Sequence, residues 1–149
     1  MSITRRELCT LLPAALVPAI FRESVGAEDE KNILSSATYR FEKLTPHKSN
    51  AADAEIRAVL KGKLATGECL EVHETTLPPG GMPHPPHKHP HSEMWLIREG
   101  TVELTIEGKS AQIGPGSVGF VHSNEEHGIK NVGAAPATYF VVAVGPGAA

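Results

Sequence analysis

Apolar residues along this chain alternate with a period of two. From Glu68 to Leu77, Leu70 and Val72 fall on one side of an extended backbone and Cys69, Glu71 and His73 on the other. Glu93–Glu99 and Thr101–Glu107 alternate in the same way on either side of Gly100, which reads as two strands joined in a hairpin, with Gly108-Lys109 closing the second. Tyr39–Leu44 alternates ring or aliphatic residues with charged ones, as an edge strand would, and Pro46 ends it. Glu55–Leu60 has the bounds of a strand, although the alanines within Asn50–Leu60 also permit a short helix. Pro78–Pro90 is a loop rich in proline, glycine and histidine, and Ile113-Gly114-Pro115-Gly116 is a turn. Ser117–Val121, His127–Asn131 and Thr138–Val144 are the remaining strands, with Ser123–Glu126 a loop between the first two. Strands that recur about every ten residues without a helical period predict an all-β barrel or sandwich.

Composition agrees with that picture. Fourteen glycines and 12 prolines in 149 residues supply many turns between short strands, and the length suits one domain. A net charge of -3 with both signs interspersed offers no cationic face for a phosphate backbone, which argues against a nucleic-acid partner. Two cysteines, Cys9 and Cys69, provide no disulfide framework; Cys69 reads as a small packed residue on a strand.

Residues 1–27 read as a cleavable export signal. Arg5-Arg6 precedes an uncharged run, Cys9–Ile20, then comes a polar stretch and the small residues Val25-Gly26-Ala27 before the acidic Glu28-Asp29-Glu30. The run is well short of the roughly 20 apolar residues that span a bilayer, so no stable membrane anchor is expected. Thr4-Arg5-Arg6-Glu7-Leu8 resembles a bacterial twin-arginine signal, which implies a periplasmic or secreted protein. Residues 28–38 then form a polar lead-in, and 39–149 the folded domain.

The histidines change the picture most. Of eight, His73, His84, His87, His89, His91 and His127 lie in or beside two short segments. His87 and His89, two apart on extended backbone, project to one side and can grip a single ion. Glu93 adds a hard oxygen donor, and His127 completes the set if its strand lies beside the first segment, as a closed antiparallel barrel permits. Three imidazoles and a carboxylate suit one divalent ion, with manganese or iron favoured and zinc, nickel or copper also compatible.

Gly81, His87-Lys88-His89, Glu93 and Gly100 reproduce the spacing G-x5-H-x-H-x3-E-x6-G, and Gly114-Pro115-Gly116 with His127 and Asn131 follows as a proline-glycine turn and H-x3-N. This pattern, over about residues 68–144, resembles the two motifs of the cupin family. The resemblance implies a double-stranded β-helix, or jelly-roll barrel, with the metal in its mouth, and usually a homodimer.

If Glu93 points inward, Trp95 and Ile97 do too, and line a largely apolar cavity. His84 and His91 flank the ligand pair, and two readings stand for them: an entry gate or base beside the ion, or solvated loop histidines. His73 is either a proton shuttle near the ion or a satisfied core histidine, and His122 lies on the rim. The leading expectation is a metal-dependent enzyme on a small oxygenated organic molecule, with oxygen chemistry first and decarboxylation, isomerisation or elimination beside it. A non-enzymatic barrel that holds a ligand or metal is the alternative. An inward acid or base beyond the four ligands would favour the enzyme.

Overall fold

The computed structural model describes residues 32–49 and 52–148; the expected signal, residues 1–27, lies outside the described residues. Among the described residues nine strands follow one another: β1 (Pro46–Lys48), β2 (Glu55–Lys63), β3 (Cys69–Leu77), β4 (Ser92–Glu99), β5 (Val102–Ile106), β6 (Lys109–Ile113), β7 (Val118–Val121), β8 (His127–Asn131) and β9 (Ala137–Val144). They form a six-stranded sheet in the order β1-β2-β3-β9-β4-β7 and a three-stranded sheet β6-β5-β8, with every strand pair antiparallel. This is the jelly-roll barrel expected from the sequence.

The period-two patterns decide which side chains enter the barrel. Trp95 and Ile97 of β4, Tyr139 and Val141 of β9, Val102 and Leu104 of β5, Leu77, Val121 and Ile129 are buried and pack into one core between the sheets. β9 sits centrally in the large sheet, between β3 and β4. Glu71 and Glu93 therefore flank Ala143, His73 and Trp95 flank Val141, and Thr75 and Ile97 flank Tyr139.

Three expectations are corrected. Phe41–Lys43 forms a 3-10 turn, not a strand, and Pro46 opens β1 instead of ending it. The aromatic alternation there has another cause: the Phe41 ring lies against the guanidinium groups of Arg57 (4.8 Å) and Arg98 (5.2 Å), and Arg98 in turn pairs with buried Glu74 at 2.7 Å. The helix open to Asn50–Leu60 does not form over the described part; β2 runs to Lys63 and pairs with β3 along its length.

The predicted hairpin across Gly100 is absent as well. β4 pairs with β7 and β9, whereas β5 pairs with β6 and β8, so the chain changes sheets at Gly100. There φ is +78°, and a Cβ would stand 2.6 Å from Ala137 Cα, so only glycine fits this corner. The real hairpin joins β5 to β6, a strand that the sequence reading did not separate. Its turn residues Glu107 and Gly108 both have positive φ, 47° and 73°, as a two-residue turn matched to strand twist requires.

Candidate metal centre

His87 and His127 are pinned to each other through the backbone: the His87 N–H donates to the His127 carbonyl (3.0 Å) and the His127 N–H to the His87 carbonyl (2.8 Å). This bridge fastens the proline-rich loop to the start of β8, which the spacing pattern required but could not supply. Asn124 N–H donates to the His89 carbonyl (2.8 Å) and fixes the loop beyond. Glu93 is the second residue of β4 and faces inward beside Trp95.

One ring nitrogen each from His87, His89 and His127 comes within 4.8 Å of the others. Glu93 Oε2 lies 3.5 Å from His89 Nε2 and 3.4 Å from His127 Nε2. Two donors each about 2.1 Å from a shared ion would stand about 3.0–3.4 Å apart, so this spacing suits a common ion. Of the four residues marked by spacing, three imidazoles thus share one point, and Glu93 approaches two of them, His89 and His127.

Tautomers point the same way. His89 Nδ1 bonds the His91 carbonyl (2.9 Å) and His127 Nδ1 the Glu125 carbonyl (2.9 Å). A carbonyl accepts, so each Nδ1 carries the proton and each Nε2 keeps a bare lone pair toward the centre. Among the described residues, His87 Nδ1, His89 Nε2, His91 Nδ1 and His127 Nε2 are buried without a hydrogen-bond partner. Buried polar atoms are rarely left so, and a divalent cation would satisfy those at the centre. The donor set fits the group that the sequence predicts.

Protons are a poor substitute for the ion. His87 is pushed down to about 4 by burial and by the neighbouring imidazoles of His84, His127 and His89. His91 is also lowered, first by burial and then by His89.

The flanking histidines divide. His91 stacks on His89 with ring centroids 3.5 Å apart, and its Nε2 lies 3.7 Å from Glu93 Oε1. His89, His91 and Glu93 form a second donor group that shares His89 with the His87, His89 and His127 group. His84 is exposed, sits 4.1 Å edge-on to His87 and reaches the cavity mouth. His122 is exposed on the rim, with Nδ1 on the Ser123 carbonyl (3.0 Å).

A cavity of about 240 Å³ opens beside Glu93. Trp95, Val141, Ile129 and Ile56 supply an apolar wall, and His73, Thr75 and Tyr139 supply polar groups. Trp95 also packs on His127, ring centroids 5.5 Å apart. Tyr139 is held well above the usual phenol value by burial and then by Glu93, so its hydroxyl stays protonated. The sequence reading missed Tyr139 and Thr75. Tyr139 lies in the apolar run of β9, where alternation is masked, and only its parity with Val141 and Ala143 marked it.

Asn131, the last motif residue, is no ligand. Its Nδ2 donates to the carbonyls of Leu77 (3.0 Å) and Ala135 (2.9 Å), and its Oδ1 accepts from Gly133 N–H (2.9 Å). Fully buried, it ties β8 to the end of β3.

Fold and site together define a jelly-roll barrel with a histidine-rich candidate metal centre at one end. Residues 73–143 match the cupin domain family. The L-ectoine synthase of Bordetella petrii is 38% identical over 72 residues, covering 48% of this chain and 53% of that protein. The chain thus spans about half the length of the curated relatives it matches. An RmlC-like cupin from Shewanella frigidimarina shares the fold with a TM-score of 0.64 at 15% identity, over 76% of this chain and 94% of that one. A predicted oxalate decarboxylase from Thermotoga maritima does so with a TM-score of 0.59 at 24% identity, over 73% and 99%.

Proposed function

We propose that this chain is a metal-dependent enzyme whose His87, His89, Glu93 and His127 hold one divalent ion and whose cavity takes a small oxygenated organic molecule. One observation carries the reading: buried, unpartnered imidazole nitrogens and a carboxylate oxygen converge at the edge of a cavity. A divalent ion bound there supplies Lewis-acid polarisation of a carboxylate, carbonyl or hydroxyl oxygen. Trp95, Val141 and Ile129 exclude water, and Tyr139 offers a phenolic proton.

An enzyme is favoured over a passive binding barrel because His73 and Tyr139, neither of them a ligand, face the same cavity. The likeness to L-ectoine synthases, which are named as enzymes, supports that choice. Proton-transfer chemistry on a chelated acid suits these groups; oxygen chemistry at iron or manganese is the other branch of the same reading.

Two further parts of the reading concern the whole protein. Leu96, Val118 and Phe120 form an exposed apolar patch on the outside of β4 and β7, which supports a homodimer through that face. The paired arginines and uncharged run of residues 1–27 support export to the periplasm, with the metal loaded beforehand.

The site test uses Trp95, the single tryptophan. Titration of metal-free protein with manganese, iron(II) or copper(II) should quench its fluorescence to an endpoint near one ion per chain, and elemental analysis of protein from its own host should find that ion. Unquenched fluorescence with no bound metal would remove the proposal.

A further inference from the structure

We infer that His73 and Glu71 form a proton-transfer pair on the cavity wall opposite the candidate metal centre, with His73 as the base that touches substrate and Glu71 as its positioning residue. The inference rests on the reading above and assigns a second set of residues to it.

The placement follows from the sheet. Glu71 and Glu93 lie on either side of Ala143, and His73 and Trp95 on either side of Val141. Strands two apart are about 10 Å distant, and Val141, on the strand between them, lines the same cavity. Glu93 borders it from β4 and His73 from β3, and both line the cavity. A molecule chelated at the metal centre would extend across β9 toward the His73 ring.

The pair has its own internal order. His73 Nδ1 lies 3.3 Å from Glu71 Oε1, while Glu71 Oε2 is held by Lys61 Nζ at 3.0 Å. A carboxylate accepts, so Nδ1 carries the proton and Nε2 keeps the lone pair. The titratable groups around His73 are Glu71 on its own strand, Lys61 behind it on β2, Tyr139 on β9, Glu93 on β4 and His84 on the loop. Burial lowers the His73 pKa, while Glu71 and Glu93 raise it, so the ring is neutral and basic near pH 7.

In the step, Nε2 takes a proton from a carbon or oxygen next to a chelated carbonyl. The electron pair of the broken bond moves onto the polarised oxygen, and the imidazolium is steadied by Glu71. The same proton returns to the product or passes to water, so no oxidant or reductant is consumed.

Pyruvate in heavy water is the probe, because it chelates through two oxygens and its methyl protons exchange only through a base. Zinc-loaded full-length protein should accelerate deuterium uptake over zinc alone, read by mass spectrometry of recovered pyruvate. His73→Gln should lose about 100-fold or more of that exchange while keeping zinc and pyruvate binding, both measured calorimetrically. Glu71→Gln should keep binding but lower the exchange plateau and move its acid limb to lower pH, a shift that a merely structural role would not produce. Equal exchange by His73→Gln and the original protein, or no exchange by protein with zinc and pyruvate bound, overturns the inference alone. Failure to bind zinc at all overturns the functional reading, and this pair with it.

Discussion

At the residue scale, the histidines do two different things with the same ring. His127 is buried, donates from Nδ1 to a carbonyl and turns a bare Nε2 inward. Changes to groups that merely orient a ligand cost about 10–100-fold in metal affinity, so His127→Gln should cost more than that, as measured by competition with a chelating dye. His87, His91 and His73 are all lowered in the folded chain. Between the ordinary value near 6.5 and about 4, the unfolded chain therefore binds more protons than the folded one. The contribution of His87 is fully present above about pH 6.5 and is lost as pH falls toward 4, and His91 and His73 add to it in the same direction. The melting temperature of metal-free protein should thus drop across that window, and His87→Gln should flatten the drop. Spacing alone marked the four candidate ligands, because each donor type and interval is local. It could not mark Tyr139, which reaches the cavity from an unbroken apolar run.

Elements rather than single side chains bring the donors to one place. The mutual backbone bridge between His87 and His127 joins a loop to a strand 40 positions further on, and Asn131 anchors the other end of that strand. Asn131→Ala would remove a donor from two carbonyls, while Gly133 N–H keeps the Thr101 carbonyl, and should lower stability by about 1–3 kcal/mol in a denaturant titration. Gly100 is a comparable hinge. Gly100→Ala should cost about 1–3 kcal/mol from its left-handed backbone alone, with the clash on Ala137 added. Gly108→Asn, in open space and in a conformation asparagine tolerates, should cost far less, so the two shifts in denaturation midpoint separate sterics from backbone preference. The sequence reading joined β4 to β5 because a glycine between two alternating runs is how a hairpin looks locally. Which strands then pair is decided by sheets that the local pattern does not contain.

The whole molecule adds surfaces that no single strand defines. Leu96 and Val118 are neighbours across β4 and β7, and Phe120 continues the patch; Val118 and Phe120 are 57% and 56% exposed. If this face joins two copies, light scattering should find a dimer, and Phe120→Lys should halve its mass without changing metal content. The all-β class, most strand positions and the histidine cluster of the candidate centre were legible in the sequence, since period-two burial and short-range donor spacing are written into neighbouring residues. Three matters were settled only by tertiary structure: the crossing between sheets at Gly100, the misread strand at Tyr39–Leu44, and the cavity that His73, Tyr139 and Glu93 share. Each depends on which distant strands lie side by side, and that follows from packing one closed core, not from the order of residues along any one stretch.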